Sequence, residues 1–330
     1  MSLNTTHRNG DPMKSFCLAA ALLVCSTSSL RAQLNAYFVN VGQGDATYIE
    51  LPNGSNVLID GGPSAAPIYD FLKAKGVTKI DHVVLTHPHS DHYRGLKKVF
   101  TSFDVKNFYD TKAENMDAVG DNNLRELANA EPACRTHFPE VGENLAWDKH
   151  VTIKVLNTCS EVVRTRDSSE INDCSMVLRF YYNGHGILTT GDAEAPVENA
   201  MMRIFKSGLQ STYLKVSHHG SRYSSTDKFL ARVQPRVAII SAGPDNTYGH
   251  PHKEALDRIR ATGAQIFSTL FGTQSLTIPA PKRGVELLIN GQIDVAPASL
   301  TEAPRFNMEE RAFEPADTPA LGQLQEALAE

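Results

Sequence analysis

The sequence predicts an α+β fold of four layers, in which two β-sheets pack face to face and helices cover the outer side of each. Apolar runs rich in β-branched and aromatic residues recur in two groups, one in each half of the chain. Stretches of helical spacing fall between and after them. The composition is that of a globular domain, with 330 residues of which 41% are hydrophobic and 21% charged.

The first group of strands is expected at Ala36–Val41, Ala46–Leu51, Asn56–Ile59, His82–Thr86 and Asn107–Tyr109. Gly42-Gln43-Gly44-Asp45 and Asn53-Gly54 are turn sequences, so the opening reads as a meander of antiparallel hairpins. Pro67–Lys75 has helical spacing, with Ile68, Phe71 and Leu72 on one face and Gly76 as its stop. The second group is expected at Val151–Leu156, Met176–Tyr182, Gly186–Thr189, Tyr213–Val216 and Val237–Ser241, with helices at Ala195–Lys206, Ser225–Val233 and His252–Thr262. The segment 111–150 reads as an insertion carrying a helix near Asn122–Ala130 and shaping a substrate cleft.

The folded core is expected over 33–296, between two segments of another character. Residues 1–32 read as an extension followed by an export signal: Met13-Lys14, an apolar run from Phe16 to Val24, and the small-residue exit Ser29-Leu30-Arg31-Ala32. The expected location is therefore periplasmic or extracellular, and Cys25 matches a lipoprotein cleavage box only weakly. Residues 297–330, rich in Ala, Pro and Glu, read as a low-complexity tail. Beyond the signal, Cys134, Cys159 and Cys174 permit one disulfide, and the pair expected is Cys134 with Cys159. The net charge of −5 argues against holding nucleic acid by bulk electrostatics, while leaving room for a local basic groove. No apolar run is long enough to span a bilayer, and no obligate protein partner is expected.

Chemistry concentrates in His87-Pro88-His89-Ser90-Asp91-His92, directly after an apolar strand. Three imidazoles and a carboxylate crowded into six residues would desolvate and repel one another without a cation, so the run reads as one wall of a metal site. Imidazole and carboxylate ligands suit Zn²⁺ and, with more oxygen ligands, Mn²⁺; one or two ions per chain are expected.

That run resembles the H-x-H-x-D-H signature of the metallo-β-lactamase superfamily. With Val41-Gly42-Gln43-Gly44-Asp45-Ala46, Leu58-Ile59-Asp60-Gly61-Gly62, Leu188-Thr189-Thr190-Gly191-Asp192, Lys215-Val216-Ser217-His218-His219-Gly220-Ser221 and Asn246-Thr247-Tyr248-Gly249-His250-Pro251, the series resembles the soluble hydrolase domain of ComEC-type DNA-uptake proteins over Leu34–Pro279. The resemblance implies that His87 and His89 bind one metal, Asp91 and His92 a second, and that Asp192 bridges the two. One histidine of the 218–219 pair is expected to face the metals and the other to turn away or toward substrate; His218 is taken as the ligand, with His219 the open alternative. The histidine that many relatives place about twenty residues before the bridging aspartate is absent, since the region reads Glu170-Ile171-Asn172-Asp173-Cys174-Ser175. Water, Asn172 or Asp173 would complete that half-site.

Asp60 is expected to accept a hydrogen bond from a ligand imidazole, and Asp45 and Gln43 to orient a ligand or a water. Lys215, Ser221 and Ser225 are candidates for phosphate contact. The resemblance implies hydrolysis by a metal-activated water that Asp91 orients, with His219 or His250 protonating the leaving group. A phosphodiester is the expected substrate, in single-stranded DNA or a cell-wall polymer, which makes the chain a phosphodiesterase or nuclease. A phosphorylcholine esterase-like or lactamase/lactonase-like hydrolase is the enzymatic alternative, and a catalytically idle nucleic-acid-binding module the non-enzymatic one. The absence of membrane-spanning runs leads to the expectation that the transport channel of competence proteins is missing.

Overall fold

Two sheets back to back form the centre of the molecule, and their facing side chains alternate with those that meet the helices. The computed structural model describes residues 1–2, 33–118, 120–244 and 246–281, together with the backbone of the short strands Leu288–Ile289, Gln292–Ile293 and Phe306–Asn307. The expected export signal therefore lies outside the described residues, as does the tail apart from Phe306–Asn307, which pairs with Gln274–Ile278.

The first sheet runs Phe306–Asn307, Gln274–Ile278, Leu34–Phe38, Thr47–Glu50, Asn56–Ile59, His82–Val84, Asn107–Tyr109, Arg135–His137. Its opening strands are the expected antiparallel meander. The second sheet runs Thr152–Asn157, Val177–Tyr182, His185–Thr189, Tyr213–Lys215, Val237–Ile240, Gln265–Ser268. The period of two along each strand sorts the apolar residues. Val57 and Ile59 join Ile187, Tyr213 and Ile239 between the sheets. Leu58 and Val83 instead meet Ile68 and Leu72 of α1 (Ala65–Ala74), Leu96 and Val99 of α2 (Ser90–Phe100) and Leu124 of α3 (Gly120–Ala130). On the far side Leu188, Leu214 and Ala238 meet Val197 and Met201 beyond α4 (Ser168–Asp173) in α5 (Ala195–Phe205), Phe229 in α6 (Asp227–Val233), and Leu256 and Ile259 in α7 (Lys253–Ala261). The expected four layers are present.

Two parts of the sequence reading change. The segment 111–150 is not wholly an addition to the sandwich, because Arg135–His137 forms the edge of the first sheet. The disulfide joins Cys159 to Cys174, whose Cα atoms lie 4.8 Å apart, and Cys134 is free. Cys134 packs with the first sheet's helical layer, whereas Cys174 caps α4.

Helix α2 was not expected, and it is the element that seats the histidine run. His92, Leu96 and Val99 recur at helical spacing and are fully buried. The helix approaches the turn after Asn56–Ile59 closely enough that Gly61 N–H donates to His92 O at 2.7 Å and Gly95 N–H to Gly62 O at 3.0 Å. A Cβ on Gly95 would stand 1.9 Å from Gly61 O. Gly95→Ala is therefore expected to destabilise the fold by about 1–3 kcal/mol through overpacking, read as a lower urea midpoint; an unchanged midpoint would show that helix and turn do not meet this closely.

Candidate metal centre

The carboxyl ends of five strands come level at one edge of the sandwich. Parallel pairing aligns Ile59 with Val84, Thr189 with Lys215, and Lys215 with Ile239. The residues just past those ends are Asp60, the histidine run, Asp192, the pair His218-His219, and Ser241, the place where open α/β sheets bind ligands. Asp91, His92, Asp192 and His219 bring ligand atoms within 4.8 Å of one another, and His87, His89 and Asp192 form a second such group. Asp192 belongs to both.

Its Oδ2 lies 3.3 Å from His92 Nε2, 3.4 Å from His219 Nε2, and 3.8 Å from both His87 Nε2 and His218 Nε2. The opposite ring nitrogens are committed elsewhere. His219 Nδ1–H donates to Ser241 O at 2.8 Å, and His92 Nδ1–H donates to Asp60 Oδ2 at 2.8 Å. Asp60 also accepts from Thr86 N–H at 2.8 Å and Thr86 Oγ1–H at 2.7 Å. The Thr86 hydroxyl, having donated its proton, accepts from His87 Nδ1 at 3.1 Å. In these tautomers the Nε2 lone pairs of His87, His92 and His219 all face the Asp192 carboxylate.

A lone pair aimed at a carboxylate in a buried site is repulsive unless a cation stands between them. His92 Nε2, His219 Nε2 and Asp192 Oδ1 are buried and have no hydrogen-bond partner. Burial alone would lower the pKa of His92 and His219. Asp192, with Asp60 and Asp91 at His92 and Asp45 at His219, outweighs it and drives both far above the usual imidazole range. The same partners, His219 and His92 foremost, hold Asp192 well below the usual carboxylate range against its burial. The pocket thus calls for positive charge, and its donors fit a divalent metal.

At 218–219, where one ring was expected to face the metals and the other to turn away or toward substrate, both rings line the cleft. Both residues have positive φ, 49° and 53°, and both rings reach Asp192, His219 from the Asp91 side and His218 with its Nδ1 3.1 Å from Glu194 Oε1. Glu194, which sequence reasoning missed, also accepts from Asn172 Nδ2 at 3.1 Å. Asn172 Oδ1 is buried without a partner. Ser175 was missed too: it accepts from the Asp192 amide at 3.0 Å and lies 3.4 Å from His87 Nδ1. His89 Nδ1 lies 2.9 Å from His87 Nε2, and His89 Nε2 lies 3.2 Å from Ser168 Oγ.

Three expected substrate contacts are not on the cleft surface. Lys215 is 2% exposed, ion-pairs with Asp45 and donates to Gly191 O at 3.2 Å. Burial favours the neutral acid of Asp45, but Lys215 and then His219 overcome it and lower its pKa. Ser221 and Ser225 are buried as well. Gln43 lines the cleft and accepts from Gly243 N–H at 3.1 Å. His250 also lines it, and burial together with the neighbouring histidines 219, 218 and 252 pushes its pKa down to about 3. It is therefore a neutral hydrogen-bonding group at neutral pH rather than a protonated acid.

With this geometry in view, residues 39–151 match the model of the metallo-beta-lactamase superfamily. That stretch is similar to the metallo-β-lactamase superfamily. The chain is 27% identical to ComE operon protein 3 of Bacillus subtilis (strain 168) over 77% of this chain and 34% of that protein. To Competence protein ComA of Neisseria gonorrhoeae it is 29% identical over 70% of this chain and 30% of that protein. The chain thus spans about a third of the length of these curated relatives. Among solved structures, a metallo hydrolase of the archaeon Ignicoccus hospitalis KIN4/I is similar over 74% of this chain and 98% of that one, with 16% identity and a TM-score of 0.45. Among the described residues, no helix is long and apolar enough to cross a membrane.

Asp60→Asn keeps the size of the side chain but removes the charge that fixes the His92 tautomer. It is expected to weaken Zn²⁺ binding on the order of 10- to 100-fold without loss of fold, measured by competition with a chromogenic chelator. Affinity equal to the wild type would show that Asp60 does not orient the ligand.

Proposed function

We propose that the domain is a metal-dependent phosphodiesterase that acts outside the cytoplasm, taking Zn²⁺ or Mn²⁺. The observation that carries the hydrolase reading is the convergence of three imidazole lone pairs on the buried Asp192 carboxylate. One ion would be held by Asp91, His92, His219 and Asp192, the other by His87, His89 and Asp192. His218, steered by Glu194 and 3.8 Å from Asp192, would complete the second set in place of the absent histidine. Ions held there would supply Lewis-acid polarisation of a phosphoryl group and would lower the pKa of a water to about 7.

The chain's own groups do the rest. Asp91, a quarter exposed in the cleft and 3.3 Å from His219 Nε2, accepts the proton of an attacking water or aims its lone pair. Its carboxyl is kept ionised against burial by His92 and His219. His250, neutral, offers a ring N–H to the departing oxygen. Support for a phosphodiester substrate comes from the similarity to competence proteins. The Cys159–Cys174 disulfide supports the exported location.

Metal-loaded protein is expected to turn over bis-p-nitrophenyl phosphate, to lose that activity with a chelator and to regain it with Zn²⁺ or Mn²⁺. His219→Ala should lower kcat/KM at least 100-fold. Cleavage of nitrocefin without any phosphodiester cleavage would replace the substrate class, and DNA retention without cleavage, with or without metal, would replace the enzyme reading.

A further inference from the structure

The cleft above Asp192 encloses about 310 Å³, and its wall includes Asp91, Asp117 and Asp192. Among the described residues that line it, Arg94 is the only lysine or arginine. It stands three residues after Asp91 on α2, hence on the same flank of the helix. Arg94 is exposed and has no carboxylate partner among the described residues, whereas Asp117 across the lining is already paired with Arg166 at 3.6 Å. An unpaired guanidinium beside the reacting centre offers a planar fork of donors that matches a phosphate.

Tyr248 lines the same cleft and is 65% exposed. Its ring lies nearly parallel to that of the buried His250, at 19° and 5.7 Å between centroids, so one face is backed and the other is open. Asn246 steadies the segment: its side chain accepts from His250 N–H at 2.8 Å and donates to His250 O at 2.8 Å and Gly243 O at 2.7 Å. A backed, open aromatic face at the mouth of the cleft is suited to stacking a base, which an unpaired strand presents without the cost of breaking a base pair.

We propose that Arg94 and Tyr248 select single-stranded nucleic acid at this cleft, Arg94 by gripping a backbone phosphate and Tyr248 by stacking a splayed base. This rests on the phosphodiesterase reading, and the test separates the two. Metal-loaded full-length protein is titrated by fluorescence anisotropy with a cleavage-resistant phosphorothioate thymidine decamer and with an abasic decamer of the same backbone. Tyr248→Ala should weaken binding of the thymidine decamer about tenfold and change the abasic decamer less than twofold, while Tyr248→Phe keeps the wild-type preference. Arg94→Ala should weaken both decamers alike and reduce the slope of log affinity against log salt by about 0.7, and Arg94→Lys should restore that slope. Equal effects of Tyr248→Ala on the two decamers, or a salt slope unmoved by Arg94→Ala, would overturn the inference even if bis-p-nitrophenyl phosphate is hydrolysed. No hydrolysis with the decamer contrasts intact would instead sink the phosphodiesterase reading and leave the binding inference standing.

Discussion

One carboxylate oxygen, Asp192 Oδ2, has imidazole nitrogens from four histidines within 3.8 Å, and the rest of the site is arranged around it. Three of these rings, His92, His219 and His87, are turned by a hydrogen bond on the other nitrogen. Asp60 turns His92, the Ser241 carbonyl turns His219, Thr86 turns His87, and Glu194 faces His218. Those partners come from strand ends of both sheets, so the centre exists only when the two sheets pack. The core between them therefore sets the geometry of the metal centre as well as the stability of the fold.

Two local constraints hold the ligands in place. Gly61 and Gly95 let the backbone of α2 lie against the turn after Asn56–Ile59, which fixes the depth of His92. Consecutive left-handed residues at His218 and His219 reverse the chain tightly enough to bring two adjacent side chains to one carboxylate. Such a conformation costs non-glycine residues about 1–2 kcal/mol each and persists only where the surroundings impose it. Here the surroundings are Ser241, Asp45 and Glu194. Beneath them the buried Lys215 neutralises part of the carboxylate charge, a structural role for a residue whose ammonium suggested phosphate contact from sequence.

Strands such as Asn56–Ile59 and Asn107–Tyr109 were legible because they are short apolar runs, and they fall where those runs put them, whereas Arg135–His137, Gln265–Ser268 and Gln274–Ile278 carry more polar residues and were not expected. Helix α2 was hidden for a physical reason. Its buried face includes His92, which counts as polar, and Gly95, which disfavours a helix but is required by the close approach of Gly61. The groups of acid and imidazole in the centre could be named from the histidine run and the Gly191-Asp192 turn. The orientation of His218 and His219 could not, because it depends on a reversal that no residue type announces. Glu194, Ser175 and Ser241 act through contacts with distant segments, and the one signal for them was proximity in sequence to Asp192, Cys174 and a strand end. The disulfide partner of Cys159 likewise depends on the position of α4 against the strand Thr152–Asn157.

Asp192→Asn tests the centre most directly, since it removes one charge without changing shape. Zn²⁺ titration of apo protein, followed by metal analysis after desalting, gives affinity and stoichiometry together. If Asp192 is shared by both half-sites, the variant keeps its fold, retains at least one ion per chain fewer than the wild type, and binds what remains at least 100-fold more weakly. Wild-type stoichiometry and affinity in Asp192→Asn would contradict a centre built on this carboxylate.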